Sequence, residues 1–419
     1  MLDIKYLREN IDTVKEAVTN RQLDPKLVDA VIDLDAKRLS LVQQVEELRS
    51  QRNKITIVGG EPTQDQRDEG VRIKQELKEL EPQLKEVGES FLQSLALIPN
   101  LPADDVPVGR DDEGNVQIKT WGEVPQFDFE PKDHLAIGEA LGILDVVRAA
   151  KVSGARFGYF KGAGALLDLG LMWYTFNKLS AEGFTPVIPP VIIKKEIEWG
   201  LGYTEDGGWD QEYVFEEDGM AFVGSSEHSV IPMYKDEVLL SDQLPLRYVN
   251  YSTCFRREAG SYGKDTRGLF RVHQFNKVEM NVYTQPDLAV SDAECLHLLS
   301  LQEEIVQDLG LPYRVVAACT GDLPRPNRRM YDIECYFPSQ GRYRETHSCS
   351  NCSDYQTRRL NIRVKGTGEN SFAHALNATA ITERAVLAIL ENFQQKDGSV
   401  VVPEVLRPFV GQEIIQPKV

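Results

Sequence analysis

No run in this chain approaches the ~18 uninterrupted apolar residues a membrane-crossing helix needs, so the sequence predicts nothing that spans a bilayer. Cysteine is scarce: six scattered residues in 419 exclude a disulfide framework and leave a reducing cytosol as the default. The opening Met1-Leu-Asp-Ile-Lys-Tyr6 has neither the apolar core of a signal peptide nor the Arg/Ser-rich character of a transit peptide. A cytoplasmic location is expected. Positive charge is also in short supply. The 47 Lys+Arg stand against 65 Asp+Glu, which excludes a generic polyanion binder and confines nucleic-acid contact to local basic patches. What is present, 42% apolar and 27% charged residues, excludes wholesale disorder, and the length predicts two or three domains.

Leu2, Ile4, Leu7, Ile11, Val14 and Val18 predict a short helical opening over residues 1–24. Val31, Leu34, Leu41, Val45, Leu48 and Ile55 then follow a 3-4 alternation, with Arg38 and Arg52 in two of the apolar places. Ile73, Leu77, Leu80, Leu84, Val87 and Phe91 repeat the pattern after the breaker-rich Gly59-Gly-Glu-Pro62. Two narrow-seamed heptad helices joined by a turn predict a projecting antiparallel coiled-coil hairpin, spanning about 28–97 within a domain of residues 1–100. At about 27 residues per helix it would be roughly 40 Å long. Pro82 predicts a local kink. A long solvated arm has little use in catalysis and suits reaching a distant partner. Its cations Arg49, Arg52, Lys54, Arg67, Arg72 and Lys74 gather toward the tip.

A Pro/Gly/Asp-rich linker is expected at 101–114. Residues 115–419 mix helical patterns with clustered strand-like runs, which favours an antiparallel α+β domain over a doubly wound one.

The most informative segment runs from Thr253-Cys-Phe-Arg256-Arg-Glu258 through Lys264 and Arg267 to Arg271-Val-His-Gln-Phe275-Asn-Lys-Val-Glu279. It predicts two strands flanking a Gly- and charge-rich loop. Period two places Val278, Met280 and Val282 toward a core and Phe275 with Glu279 on the other face, about 13 Å apart. Arg256 and Glu258 are expected to share a face of the preceding strand, about 7 Å apart. A fork-shaped cation, two carboxylates and an aromatic plane suit a nucleotide joined to an amino acid.

This segment resembles motif 2 of class II aminoacyl-tRNA synthetases in its seryl-tRNA synthetase form. Phe184-Thr-Pro-Val-Ile-Pro189-Pro190 is similar to motif 1, a dimer-interface element of that family. Asn377-Ala-Thr379 through Glu383-Arg384 to Leu390-Glu-Asn is similar to motif 3. Thr320-Gly-Asp-Leu, Tyr331-Asp-Ile-Glu, Tyr343-Arg-Glu345, Ser348-Cys-Ser-Asn-Cys352 and Val402-Pro-Glu-Val-Leu-Arg-Pro-Phe409 resemble further family blocks. The hairpin resembles the family's tRNA-binding arm.

The resemblance implies a homodimer that activates L-serine with ATP and Mg²⁺ and loads tRNA(Ser), and tRNA(Sec) where the host has one. It implies an ATP site of Arg256, Arg257, Glu258, Val272, Phe275, Glu345, Thr346, His347, Ser348 and Arg384. Within it Arg256 holds the α-phosphate, Phe275 stacks on adenine beside Glu258, and Arg384 grips the γ-phosphate. Glu345 and Ser348 hold Mg²⁺, a hard cation suited to oxygen ligands. Serine falls to Ser225, Ser226, Glu227, Arg256, Glu279 and Thr379, with Arg256, Glu279 and Arg384 as the catalytic set. Arg49, Arg52 and Lys54 are implied on the tRNA arm. A pocket that hydrogen-bonds the substrate hydroxyl rejects alanine, because it would be left with unpaired buried polar groups.

Gly224-Ser225-Ser226-Glu227-His228 departs from the family's usual Thr-Ala-Glu or Thr-Ser-Glu, and the 202–210 loop from its usual Gly-Thr-Gly-Gln-like form. Cys349-x₂-Cys352 beside His347 has no second Cys pair, so zinc is not expected. Gly162-Ala-Gly164 has Leu167 where a dinucleotide fingerprint needs glycine, and reads as a helix start. Two rival readings remain: a serine-activating ligase loading a carrier other than tRNA, and a non-catalytic RNA-binding paralogue.

Overall fold

The computed structural model describes residues 1–57, 63–205, 208–260, 268–366 and 371–417, the backbone alone at 56–57. The expected breaker turn at 59–62 and the Ser261–Arg267 stretch of the motif 2 segment lie outside the described residues. The described chain divides into two compact units, Met1–Pro99 and Asn100–Val419. No described helix is long and apolar enough to cross a membrane.

The first unit is helical. Its opening is two short helices, α1 (Ile4–Glu9) and α2 (Ile11–Asn20), not one, because the chain breaks at Asn10. α3 (Lys26–Ile57) and α4 (Gln64–Leu97) form the arm and are longer than the heptads predict. α4 starts at a capping box, in which Thr63 and Gln66 each satisfy the other's backbone N–H. It runs unbroken through Pro82. Val45, Leu48, Ile73 and Leu77 are buried together in the seam, with Leu80 and Leu84 packed against them. Arg38 fits an apolar position because its guanidinium lies 4.9 Å from the Phe91 ring centroid and bonds Asp35 at 2.7 Å.

The second unit is built on an eight-stranded sheet, the α+β architecture expected. In chain order its strands are β1 (Val116–Trp121), β2 (Thr185–Val187), β3 (Leu246–Phe255), β4 (Gln274–Thr284), β5 (Tyr313–Ala317), β6 (Arg329–Phe337), β7 (Arg342–Asn351) and β8 (His374–Thr382). They lie in the order β1-β5-β6-β7-β8-β4-β3-β2, antiparallel except for the short β2–β3 pair. Helices Ala163–Ala181, Leu288–Asp308 and Glu383–Asn392 cover one side. Leu171, Leu298, Ile305 and Val386 there join Val278, Met280, Val282, Leu376 and Ala378 in one buried core. Covering one face leaves the other for chemistry.

Residues 101–114, read from sequence as a linker, pack onto this unit. Ala103 and Val106 are buried against Ala318, Leu323 and Met330. Neighbouring Asn100 donates to the carbonyls of Pro326 (2.8 Å) and Cys352 (2.9 Å).

Candidate active site

Alternation along β4 sends Val278, Met280 and Val282 into the core and Lys277 and Glu279 to the opposite face, where both are buried. The Glu279 carboxylate accepts from Ser225 Oγ (2.9 and 3.1 Å), Ser226 Oγ (2.6 Å), the Glu227 backbone N–H (2.9 Å) and Lys277 Nζ (2.5 Å). Burial pushes its carboxyl up, but the Lys277 charge and these hydrogen bonds outweigh burial and hold it below the usual range. Glu227 next door is covered less well, by Tyr203, His228 and Lys277. Burial and the Glu279 charge push its carboxyl up.

Two connected cavities open on this face. The larger, about 640 Å³, is lined by Ser225, Glu227 and Glu279 at one end and by Asp322, Asp332 and Asn377 further on. The smaller is lined by Val272, Phe275, Phe270, Thr346 and Thr379. Arg256, Glu258, Arg271, Lys277, Glu345, Ser348 and Arg384 line both. Arg256 is held by its Nε–H donating to Gly224 O (3.0 Å), with its guanidinium 5.4 Å from the Phe275 ring centroid. Arg384, the second residue of its helix, donates to Glu345 O (3.0 Å), and its guanidinium lies 4.7 Å from the Phe270 centroid.

One expectation is corrected, and the structure places the other implied residues. Arg256 and Glu258 do not share a strand face, because β3 ends at Phe255 and Glu258 takes φ +50° in the loop beyond. Glu258 is instead approached by Arg271 Nη1 at 3.3 Å. Arg257 is exposed and lines neither cavity; its backbone N–H donates to Gln211 O. His347 is buried away from both, its Nδ1 2.7 Å from Thr346 Oγ1, and burial pushes its imidazole pKa down to about 3. Ser226 touches Glu279 without lining either cavity. On the arm, Arg49 is committed to Glu81 of the facing helix at 2.8 Å, while Lys54 is exposed.

Two β-bulges assemble what strict alternation would separate. Glu345 and Ser348 are three residues apart, so period two sends them to opposite faces. The β6–β7 register shifts at Thr346 and brings both to the cavities. A matching shift at Ala380 sets Thr379 opposite Glu279. Lys277 was missed, although its parity with Phe275 and Glu279 was the available signal. Arg271 was missed as well.

Among the described residues one further group could hold a metal: Glu198, Glu212 and His228, with ligand atoms within 4.8 Å of one another. His228 Nδ1 lies 2.8 Å from Glu198 and its ring stacks on Tyr203. Burial lowers the imidazole pKa, but the Glu198 charge and hydrogen bond outweigh it and raise the value to about 9. His228 thus holds its proton more firmly than a free imidazole, which disfavours metal ligation. The Cys349 and Cys352 side chains diverge, Cys349 toward Cys295 (3.7 Å) and Cys352 toward Asn327 (3.4 Å).

A one-sided, mostly antiparallel sheet with one arginine just beyond β3 and a second at the head of the helix after β8 is the class II synthetase core. Residues 213–393 match the tRNA synthetase class II core domain (G, H, P, S and T), and residues 1–102 match the seryl-tRNA synthetase N-terminal domain. The chain is 44% identical to a serine--tRNA ligase of Thermobifida fusca over 422 residues, covering all of this chain and 99% of that one. It superposes on a seryl-tRNA synthetase from Pyrococcus horikoshii complexed with ATP at TM-score 0.93, 38% identity and full coverage of both. A cytoplasmic serine-tRNA ligase from Naegleria fowleri in complex with AMP aligns at TM-score 0.88 and 31% identity, covering all of this chain and 99% of that one. The chain belongs to the seryl-tRNA synthetase family.

Proposed function

We propose that this chain activates L-serine with ATP and transfers it to tRNA(Ser). The observation that carries the reading is the Glu279 carboxylate, held ionised at the floor of a cavity that continues past Arg256 and Phe275 to Arg384. The ionised carboxylate binds the serine ammonium, and the Ser225 and Thr379 hydroxyls beside it complete a pocket for the substrate hydroxyl. Phe275 stacks on adenine with Glu258 at its amino edge. A serine carboxylate oxygen attacks the α-phosphorus, and the bond to the pyrophosphate oxygen breaks. No general base is required, because the attacking carboxylate is already ionised. Arg256 meets charge developing at the α-phosphate and Arg384 meets the γ-phosphate, so positioning and charge neutralisation supply the acceleration. The terminal ribose hydroxyl of tRNA then attacks the acyl carbon and AMP leaves.

The carboxylate of Glu345 and the hydroxyl of Ser348, oxygen donors on the wall shared by both cavities, fit a hard divalent cation. Mg²⁺ held there would neutralise phosphate charge. The α3–α4 arm carries tRNA recognition by shape and backbone, through Arg52 and Lys54 in the first instance, and by family resemblance its target is the long variable arm. tRNA(Sec) shares that feature where the host has one. Leu166, Leu169 and Trp173, exposed on one face of helix Ala163–Ala181, and Ile188 beyond β2 support a homodimer. The activity is cytoplasmic in this reading.

The match extends through the N-terminal domain, which a ligase for another carrier has no use for, and Arg256, Glu279 and Arg384 are all in place, which a non-catalytic paralogue does not need. The test is charging of a transcribed serine tRNA with labelled serine, ATP and Mg²⁺. Serine ester is expected. Pyrophosphate exchange without ester would place the activation site correctly and the acceptor wrongly.

A further inference from the structure

Lys277 has the least explained position in the site. It is buried, its Nζ lies 2.5 Å from Glu279 Oε1 and donates to Ser225 Oγ at 2.9 Å, and it lines both cavities. A structural ion pair would account for the first distance alone. It does not account for a cation on the wall between an amino-acid lobe and a nucleotide lobe, against the carboxylate that the amino acid needs. Glu279 already has Lys277 as its counter-ion. A substrate ammonium arriving there must take the place of another ammonium.

We propose that Lys277 is an exchangeable counter-ion that couples the two substrate lobes. Its Nζ stands where the ammonium of a zwitterionic amino acid will sit, against Glu279 and Ser225. When that ammonium binds, Lys277 gives up Glu279 and turns toward the adjoining lobe, whose wall it shares with Arg256 and Arg384, as a further positive charge against a polyphosphate. Glu279 keeps one cation against it throughout. Glu279 exchanges one cation for another, and the freed ammonium meets phosphate instead of remaining buried and unpaired, which would be costly. Each substrate thereby lowers the cost of binding the other, and linkage requires the two effects to be equal. The inference rests on the serine-and-ATP reading and adds to it the residue through which the two sites communicate.

The experiment measures dissociation constants of the full chain for L-serine and for a non-hydrolysable α,β-methylene ATP analogue, each with and without the other, by calorimetry. In the wild type each ligand should tighten the other by the same factor, on the order of tenfold. In Lys277→Met and Lys277→Gln the factor should fall to about one while each ligand still binds alone. Gln keeps a donor toward Glu279 and removes the charge, so it remains available if Met in this buried place prevents folding. Lys277→Arg, which keeps a cation, should retain part of the coupling. Undiminished coupling in either folded neutral variant overturns the proposal. So does a wild-type factor of one in a protein that binds both ligands. Failure of the wild type to bind serine at all, or to show serine-dependent pyrophosphate exchange, would instead overturn the functional reading.

Discussion

Two ion pairs, one in each unit, are similar in distance and opposite in meaning. Arg49 and Glu81 bridge the arm at 2.8 Å with about half of each side chain in water, at 52% and 44% exposure. Lys277 and Glu279 meet at 2.5 Å with 6% and 1% exposed. Water screens the first and could replace either partner at little cost. The second is out of water, so each partner depends on the other. The arm accordingly gets its order from an apolar seam, and its charges remain available to a partner. The catalytic face gets its order from its charges, and the core on the other side of the sheet supports them. Contact distance does not show this difference; burial does.

The largest effect should come from Arg256→Ala. Removing the guanidinium that faces both lobes should lower serine-dependent ATP–pyrophosphate exchange by about 10²–10³ fold, the scale seen when one charge-stabilising donor is lost. Near-normal exchange would remove Arg256 from the mechanism. Glu279→Gln comes next, because it leaves Lys277 buried without its counter-ion. It should cost about 3–5 kcal/mol in urea denaturation and abolish serine binding. Adding Lys277→Met to that variant should recover a large part of the stability but not the binding. Additive losses would show that the two side chains do not depend on one another.

His228 sharpens the comparison by pH. Its pKa is raised to about 9 in the folded chain from an ordinary 6.5, by Glu198 against the effect of burial. The stabilisation is complete below the unfolded value and is lost as pH rises through about 9. Glu212 adds in the same direction. Burial raises its pKa to about 7 from an ordinary 4.5, so its contribution is lost as pH rises between those values and is nearly gone above pH 7. The unfolding free energy of the wild type should therefore fall by roughly 3 kcal/mol between pH 6.5 and 9.5 relative to His228→Gln. Parallel pH profiles would mean that the imidazolium contributes nothing.

What could be read from the sequence follows the same division. The arm was legible because a helical seam is local: Val45, Leu48, Ile73 and Leu77 announce themselves by spacing alone. Its lengths were underestimated, since the Thr63–Gln66 capping box extends α4 beyond its heptads. On the sheet, period two placed Phe275 and Glu279 correctly on one face because β4 pairs with β3 without interruption. It misplaced Arg256 and Glu258, because a strand end is set by its partner and not by its own residues. The union of Glu345 with Ser348 depends on a bulge at Thr346, which no residue in the segment marks. Motif resemblance supplied those residues where periodicity could not. Lys277 escaped because a lysine in a strand reads as solvated, and only the pocket around it shows that it is not.

On the arm, Arg49, Arg52 and Lys54 replaced together by Ala should weaken tRNA charging more than pyrophosphate exchange. The slope of log affinity against log salt should flatten by about 2.7 if all three meet duplex phosphates. A change of about 1.8 would mean that Arg49 stays with Glu81 in the complex.

The smallest effect isolates that pair. Glu81→Ala should cost less than about 1 kcal/mol at low salt, and the difference from wild type should vanish in 1 M salt, because half-exposed charges are screened. The same substitution frees the Arg49 guanidinium, so tRNA affinity should hold or rise slightly while stability falls. A loss of several kcal/mol insensitive to salt would mean that the Arg49–Glu81 pair behaves like the Lys277–Glu279 pair. Exposure would then be a poor guide to which charges this fold depends on.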